Sequence, residues 1–155
     1  MENSLDFIEF TNFVLSEKCF ETCDVSYIDK EGKQHYLDKV DLFLYQATIA
    51  KILLSKDTVK IEQAESLFDF NQGTAHIFYN KEKGYSFGVH TDPVDVFIEC
   101  LDGKKWLEIE GKEICLEKGE RVLIPKNTPH KALNYEKALM ISYGIGDTET
   151  LTSLR

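Results

Sequence analysis

The stretch that decides the fold is "GVHTDPVDVFIECLDGKK", residues 88–105, in which an apolar run opens with a histidine and an aspartate and closes with two lysines. His90 and Asp92 are two residues apart, so on a strand their side chains point to the same face of the sheet. Polar groups on a buried face need polar partners. The spacing therefore predicts either that this face is wet or that a charged species lies on it.

Length and composition limit the classes of function. The chain has 155 residues, of which 43% are hydrophobic, enough for one folded core. We therefore expect a single domain over 1–155. The net charge of -9 repels phosphate backbones, so a broad basic face for nucleic acid is not expected. A small molecule or a peptide is the substrate that this charge accommodates most easily.

Location is predicted from what the sequence lacks. It shows neither a basic and apolar leader nor a long apolar span, and its four cysteines lack zinc-site spacing. We therefore expect a cytoplasmic protein with reduced thiols and no membrane contact.

The chain changes character near residue 71. Residues 1–70 are predicted as a mixed α/β part, with a helix from Asp38 to Lys56 that is capped by Asp38. Its inward face is expected to carry Phe43, Ala47, Ala50 and Leu54. Residues 72–146 are predicted as a barrel core, because short strand patterns follow one another closely there. These patterns are "TAHIFY", "SFGVHTD", "VDVFIECL", "KWLEIE", "EICLE", "RVLIP" and "ALMISYGI", with a tight hairpin at Gly111.

Two segments resemble the paired signature of the cupin superfamily, G(x)5HxH(x)3E(x)6G and G(x)5PxG(x)2H(x)3N. The first motif is matched at its first histidine and closing glycine, and the second throughout except for an asparagine in place of its inner glycine. The matching positions are His90 and Gly103, then Gly119, Pro125, His130 and Asn134, with Asn127 as the exception. The resemblance implies a mainly β fold, a double-stranded β-helix (a jelly-roll barrel), here preceded by an N-terminal helical segment.

Two departures from the cupin pattern change the metal chemistry that it implies. Asp92 stands in place of the second histidine, and Val96 in place of the glutamate. The remaining set is His90, Asp92 and His130. Two histidines and one carboxylate with open coordination positions favour non-haem Fe(II) that activates O2.

A narrower resemblance covers roughly residues 84–134. The segment "SFGVHTDPVDVFIECLDGKKWLEI" is similar to the core of the Jumonji-type 2-oxoglutarate oxygenases, especially the branch with the ribosomal-protein hydroxylases. The shared positions are Phe87, His90, Asp92, Asp95, Val96, Phe97, Gly103, Lys105 and Trp106. In that family a lysine fifteen residues after the first histidine binds the far carboxylate of 2-oxoglutarate, and Lys105 has that offset.

Strand alternation supports an inward Lys105 independently of the resemblance. Lys105 alternates with Leu107 and Ile109, so if these two face the interior, the lysine does too. A buried ammonium group is unfavourable unless it meets an anion. The alternative is that Lys105 reaches solvent along an apolar surface. Ser142 on the last strand is a further candidate contact of the cosubstrate, on strand parity alone.

Other polar and aromatic residues of the two motifs receive structural roles. Asp95 is predicted to be a hydrogen-bonding residue and Asn134 to cap a turn. Trp106 and Phe97 are predicted to be core residues. For His76 a place in the lining of the site stays open.

The leading functional prediction is an Fe(II)- and 2-oxoglutarate-dependent oxygenase that hydroxylates a small molecule or a protein side chain. His90, Asp92 and His130 would hold the metal, and Lys105 the cosubstrate. Two alternatives remain: a metal-dependent cupin enzyme, a dioxygenase or isomerase of a small acid, that does not use 2-oxoglutarate, and a non-catalytic ligand-binding cupin. Analogy between folds also raises the possibility of a homodimer.

Overall fold

The protein is described from a computed structural model, which covers residues 5–146. The helices are α1 (Phe7–Val14), α2 (Glu17–Thr22) and α3 (Leu42–Ile52), and a 3₁₀ turn covers Glu65–Phe68. The strands are β1 (Asp24–Ile28), β2 (Gln34–Tyr36), β3 (Thr58–Glu62), β4 (Gly73–Asn80), β5 (Val96–Ile109), β6 (Lys112–Glu117), β7 (Arg121–Ile124), β8 (His130–Ala132) and β9 (Ala138–Ile145). Within these residues no helix has the length and apolar character needed to cross a bilayer.

The strands form two antiparallel sheets that share β5. The larger sheet runs in the order β2-β1-β3-β4-β9-β5, and β7 pairs with the first half of β5 on its other edge. The smaller sheet consists of the second half of β5 with β6 and β8. Strands from the first 70 residues therefore extend the same sheet that contains β4 and β9.

A bend in β5 lets one strand belong to both sheets. The register of its pairing with β9 shifts between Cys100 and Asp102, as in a β-bulge. Gly103 follows with φ +73°, and a Cβ there would lie 2.3 Å from the carbonyl oxygen of Lys137. Only glycine fits such a backbone at such a close approach. The two strand patterns "VDVFIECL" and "KWLEIE" are therefore one bent strand.

Apolar side chains form two cores, one on each face of the larger sheet. The helix-side core packs α1–α3 against the sheet and includes Phe10, Ile49, Ile61, Ile77 and Ile141. The inner core lies between the two sheets and includes Val96, Ile98, Leu107, Leu116, Ile124 and Met140. Successive residues of a strand alternate between these cores because successive side chains point to opposite faces of a sheet.

The helix predicted over residues 38–56 is present but shorter, and it begins at a different cap. Asp41, and not Asp38, is the N-cap of α3: its Oδ1 accepts hydrogen bonds from the backbone amides of Phe43 at 2.8 Å and Leu44 at 3.2 Å. Asp38 instead accepts a bond from the amide of Val40 in the preceding loop. The predicted cap was therefore wrong by three residues, because both aspartates satisfy the same local preference.

The buried face of α3 also differs from the predicted one. Tyr45, Ile49 and Ile52 are buried, whereas the predicted inward set, Phe43, Ala47, Ala50 and Leu54, is exposed. The Tyr45 hydroxyl donates to the carbonyl of Val14 at 2.7 Å, and Gln46 donates to the carbonyl of Leu15 at 2.7 Å. These two bonds to the end of α1 orient α3. The prediction was wrong because both sides of this helix are apolar.

Of the other predicted features, the hairpin and the role of Asp95 are confirmed, and the core position of Trp106 is wrong. The hairpin at Gly111 is confirmed: Glu110 and Gly111 both have positive φ, 51° and 81°, as a primed two-residue turn requires. Asp95 accepts a hydrogen bond from the amide of Lys126 at 2.8 Å, as predicted. Trp106 is not a core residue; it is half-exposed, and its indole N–H donates to Glu136. Phe97 is half-buried at the margin of the helix-side core.

Candidate metal and anion site

His90 and Asp92 lie in a loop and not on the strand that their spacing suggested. This loop joins β4 to β5, and "SFGVHTD" contains no regular strand. Two backbone hydrogen bonds of 3.0 Å hold His90 against His130, the first residue of β8. The carbonyl of Asp92 accepts a bond from the amide of Asn127 at 2.8 Å. Main-chain bonds to the segment before β8 therefore position both side chains.

The structure brings His90, Asp92 and His130 together. One potential ligand atom from each of the three lies within 4.8 Å of the other two. Nε2 of His130 is 3.2 Å from Oδ2 of Asp92, and the two imidazole ring centroids are 4.4 Å apart. Three side chains separated by up to forty residues in sequence thus converge on one point.

Each histidine is oriented by a hydrogen bond from its other ring nitrogen. Nδ1 of His90 lies 2.9 Å from the carbonyl oxygen of Gly88, and Nδ1 of His130 lies 2.8 Å from that of Thr128. A carbonyl oxygen only accepts, so Nδ1 carries a proton in both rings, and Nε2 is the nitrogen left to face the site. This is the arrangement in which protein histidines usually bind metals.

Charge at this point favours a cation. The hydrogen bond with His130 lowers the pKa of Asp92, which is therefore ionised at neutral pH. For His130, burial lowers the pKa, but the bonds to Asp92 and to the carbonyl of Thr128 outweigh it, and the net direction is upward. The interaction between Asp92 and His130 contributes to both changes, because the carboxylate favours positive charge on the imidazole.

Lys105 is a fully buried cation in the same cavity. Only 1% of its surface is exposed, and Nζ donates a hydrogen bond to Oδ1 of Asn134. No aspartate or glutamate of residues 5–146 forms an ion pair with it. Burial lowers the pKa of Lys105 to about 8. The ammonium group thus faces the interior, as alternation with Leu107 predicted, and does not reach solvent.

Asn134 supports Lys105, a role that the sequence reasoning missed. Its φ of 43° is turn-like, in keeping with the expected turn. Its side chain, however, is buried, and its amide donates to the carbonyl of Tyr85 at 3.0 Å and to Oγ1 of Thr58 at 3.3 Å. These two bonds fix Oδ1 toward the lysine. The available signal was the final asparagine of the second cupin motif.

A cavity of about 310 Å³ between the sheets contains both groups. The three converging side chains, Lys105 and Asn134 all line it. Ser142 and His76 also line it, from neighbouring strands β9 and β4. His90 is exposed whereas Lys105 is buried, so the triad lies toward the mouth of the cavity and the ammonium group toward its interior. The arrangement can hold a cation and, deeper, an anion.

Comparison with known proteins supports the fold. No protein-family model and no curated protein matches the sequence. Among solved structures, Escherichia coli YcfD, a ribosomal oxygenase, in complex with cobalt and 2-oxoglutarate has a TM-score of 0.65 at 18% identity, covering 99% of this chain and 47% of that one. Its complex with cobalt and succinic acid has a TM-score of 0.64 at 18% identity, covering 99% of this chain and 47% of that one. Another E. coli ycfD structure has a TM-score of 0.64 at 15% identity, covering 99% of this chain and 49% of that one.

The chain thus spans about half the length of these structures. At this identity the likeness shows the fold. The predicted fold class, a mainly antiparallel β protein of the cupin, jelly-roll type, is confirmed.

Proposed function

We propose that this protein is an Fe(II)- and 2-oxoglutarate-dependent oxygenase. The observation that carries the proposal is the pairing, in one cavity, of a 2-His-1-carboxylate group with a buried lysine that lacks a carboxylate partner among residues 5–146. A metal ion and a dicarboxylate are the species that these two features match. The fold likeness to a structure that contains cobalt and 2-oxoglutarate supports the same assignment.

The donor set fits a divalent metal. His90 and His130 direct Nε2 into the site because their Nδ1 atoms are bonded to carbonyl oxygens. A metal ion would take the place of the proton that Nε2 of His130 shares with Asp92. Asp92 is ionised and adds an oxygen ligand. Two nitrogens and one oxygen leave open positions, which is typical of non-haem Fe(II) sites. When bound, the iron supplies the redox chemistry that activates O2 and couples decarboxylation of 2-oxoglutarate to oxidation of the substrate.

The chain's own residues bind and orient the cosubstrate. Lys105 pairs with the carboxylate of 2-oxoglutarate remote from the metal, and Asn134 holds the ammonium group in place. Because Lys105 is buried, the ion pair is stronger than it would be at the surface. Ser142 is a candidate second contact on the cavity wall. The substrate, a small molecule or a peptide, approaches the triad from the exposed side of His90.

The test is formation of succinate from 2-oxoglutarate in the presence of Fe(II), ascorbate and O2, measured by NMR. Slow turnover without a hydroxylation substrate is sufficient for this assay. We expect succinate from the wild-type protein and none above background from His130→Ala. His35→Ala is the matched control, because His35 bonds to Asp29 outside the cavity. It should retain the activity.

The outcomes separate the competing functions. If neither succinate formation nor metal-dependent binding of 2-oxoglutarate is detected, the proposal is wrong. Metal binding without either one favours a cupin enzyme that acts on a small acid directly. Anion binding that survives in His90→Ala, although metal uptake is lost, favours a ligand-binding protein.

A further inference from the structure

Helix α3 is apolar on two opposite sides. Tyr45, Ile49 and Ile52 face the core, and about half a turn away, at roughly 100° per residue, lies a second apolar stripe. We name this stripe the α3 seam; it consists of Phe43, Ala47 and Ala50 on the helix and Leu54 in the hydrogen-bonded turn that continues it. It is the stripe that the sequence predicted to face inward.

The α3 seam is open to solvent. Phe43 is 78% exposed and Leu54 74%, and Val40 and Leu44 beside them are 86% and 64% exposed. Ala47 and Ala50 are exposed as well. A helix that is apolar all round normally has both sides covered. A contiguous apolar patch at a surface marks a site of interaction with another molecule.

We propose that the α3 seam pairs with the α3 seam of a second copy of this chain, with the two helices antiparallel. The spacing of four, three and four residues is that of the contact positions in paired helices. It is also the same when read in either direction. A twofold axis midway between Ala47 and Ala50 therefore places each alanine opposite the other alanine of the second copy, and Phe43 opposite Leu54. Small residues at the centre let the two backbones approach closely, and the large residues close the ends.

The charge beside the α3 seam favours the antiparallel arrangement. Lys51 is exposed on α3, and the same axis places it opposite Gln46 of the second copy. A parallel pair would instead place Lys51 against Lys51, and two like charges repel. The surface is thus complementary to itself in one orientation, as a twofold interface requires.

The size of the α3 seam predicts a weak dimer. The distance from Phe43 to Leu54 along the helix axis is about 17 Å at roughly 1.5 Å per residue. One helix pair of this length buries less than the roughly 1,200 Å² that stable interfaces exceed. We therefore expect a dimer that dissociates on dilution.

The first experiment is sedimentation equilibrium of the full chain from low micromolar to several hundred micromolar concentration. The wild-type protein should pass from monomer to dimer over this range. Phe43→Glu should raise the dimer Kd at least about tenfold, since it places a charge on the main apolar anchor. Leu123→Glu is the matched control: Leu123 is 47% exposed on β7, away from α3, and the Kd should not change.

The second experiment tests the orientation by disulfide cross-linking. Phe43→Cys and Leu54→Cys proteins that carry different tags are oxidised in three samples. Two samples contain one protein each, and the third contains both proteins, mixed before oxidation. The antiparallel pair should cross-link in the mixture well above either protein alone, because identical positions lie about 17 Å apart along the axis. The wild type, with its four native cysteines, gives the background.

The proposal is overturned by a monomer at every concentration, which would mean that the α3 seam stays open or is covered by another part of the chain or another protein. It is equally overturned by a dimer that tolerates Phe43→Glu, by an equal loss in Leu123→Glu, or by stronger cross-linking of the identical positions. None of these outcomes depends on the metal or on 2-oxoglutarate.

Discussion

Lys105→Met should leave the ligand-free protein at least as stable as the wild type while removing tight binding of 2-oxoglutarate. Burial lowers the pKa of Lys105 from 10.5 to about 8, which corresponds to about 3 kcal/mol against folding at neutral pH, at roughly 1.4 kcal/mol per pKa unit. Methionine has a similar length and no charge, so this term disappears. Oδ1 of Asn134 then loses its donor, which costs about 1–3 kcal/mol. The two effects nearly cancel or leave a small net stabilisation.

The sign of the effect can be checked against pH. In the folded wild type Lys105 loses its proton near pH 8, whereas in the unfolded chain it keeps the proton to about 10.5. Between these values the unfolded state binds more protons, so this residue makes the free energy of unfolding rise with pH. Lys105→Met should lack that rise. Urea denaturation of both proteins across pH 7.5–10.5 measures the difference.

The affinity for 2-oxoglutarate should fall in Lys105→Met, although the stability of the ligand-free protein is kept. Removing one member of a buried charge pair costs about 2–5 kcal/mol, or roughly 30- to 5,000-fold in Kd. Because the ammonium form is the one that binds, wild-type affinity should also weaken above pH 8, by about tenfold per pH unit. Lys105→Met should show little of this pH dependence.

The assay is calorimetric titration of Mn(II)-loaded protein with 2-oxoglutarate. Lys104→Met is the matched control, because the neighbouring Lys104 is exposed and points away from the cavity. It should bind like the wild type. Equal affinity in Lys105→Met and wild type would refute the assignment of Lys105 as the anion site, and an equal loss in Lys104→Met would show that the effect is not local.

Three further predictions concern the metal site, the bend in β5 and the cap of α3. Asp92→Ala should weaken Mn(II) binding, measured by calorimetry, by more than the roughly 10–100-fold that is typical when a residue supporting a metal ligand is changed. Unchanged affinity would exclude the three converging side chains as the metal site. Gly103→Ala should lower the free energy of unfolding by at least about 2 kcal/mol, because it adds a steric clash to the strain of positive φ. Gly119 also has a positive φ, +89°, but open space around it, so Gly119→Ala should lower the free energy of unfolding by only about 1 kcal/mol. Similar losses in the two urea curves would contradict the clash. Asp41→Ala should cost about 1 kcal/mol as the loss of an N-cap, and more than Asp38→Ala; the reverse order would restore the cap predicted from sequence.

Strand alternation and turn preferences were sufficient to predict several features of the barrel from the sequence. Strand alternation placed Lys105 beside Leu107 on the cavity side, and the structure has both buried there. Two residues of positive φ at the predicted hairpin agree with the preference of Gly111 for such turns. These features depend on the period of a strand or the conformational freedom of a single residue, and both are visible in a short stretch of sequence.

Local rules did not extend to the loop before β5. The spacing of His90 and Asp92 suggested one strand face, but the two residues are held by the main chain around Asn127 and His130. The same three side chains were named from sequence, although the reason for their convergence was different. The conformation of this loop depends on hydrogen bonds to residues that are distant along the chain, and the residues of the loop itself do not indicate which partners they will meet.

The sequence by itself determined the polar residues of the cavity, the strand periods and the apolar character of α3. Tertiary structure decided which side of α3 is buried, and it gave Asn134 its contact with Lys105. The physical reason is the same in both cases. A helix with apolar residues on two sides has two equivalent ways to pack, and an amide has several possible partners, so the choice depends on groups brought near by the rest of the fold. For α3 these groups are the carbonyls of Val14 and Leu15 at the end of α1.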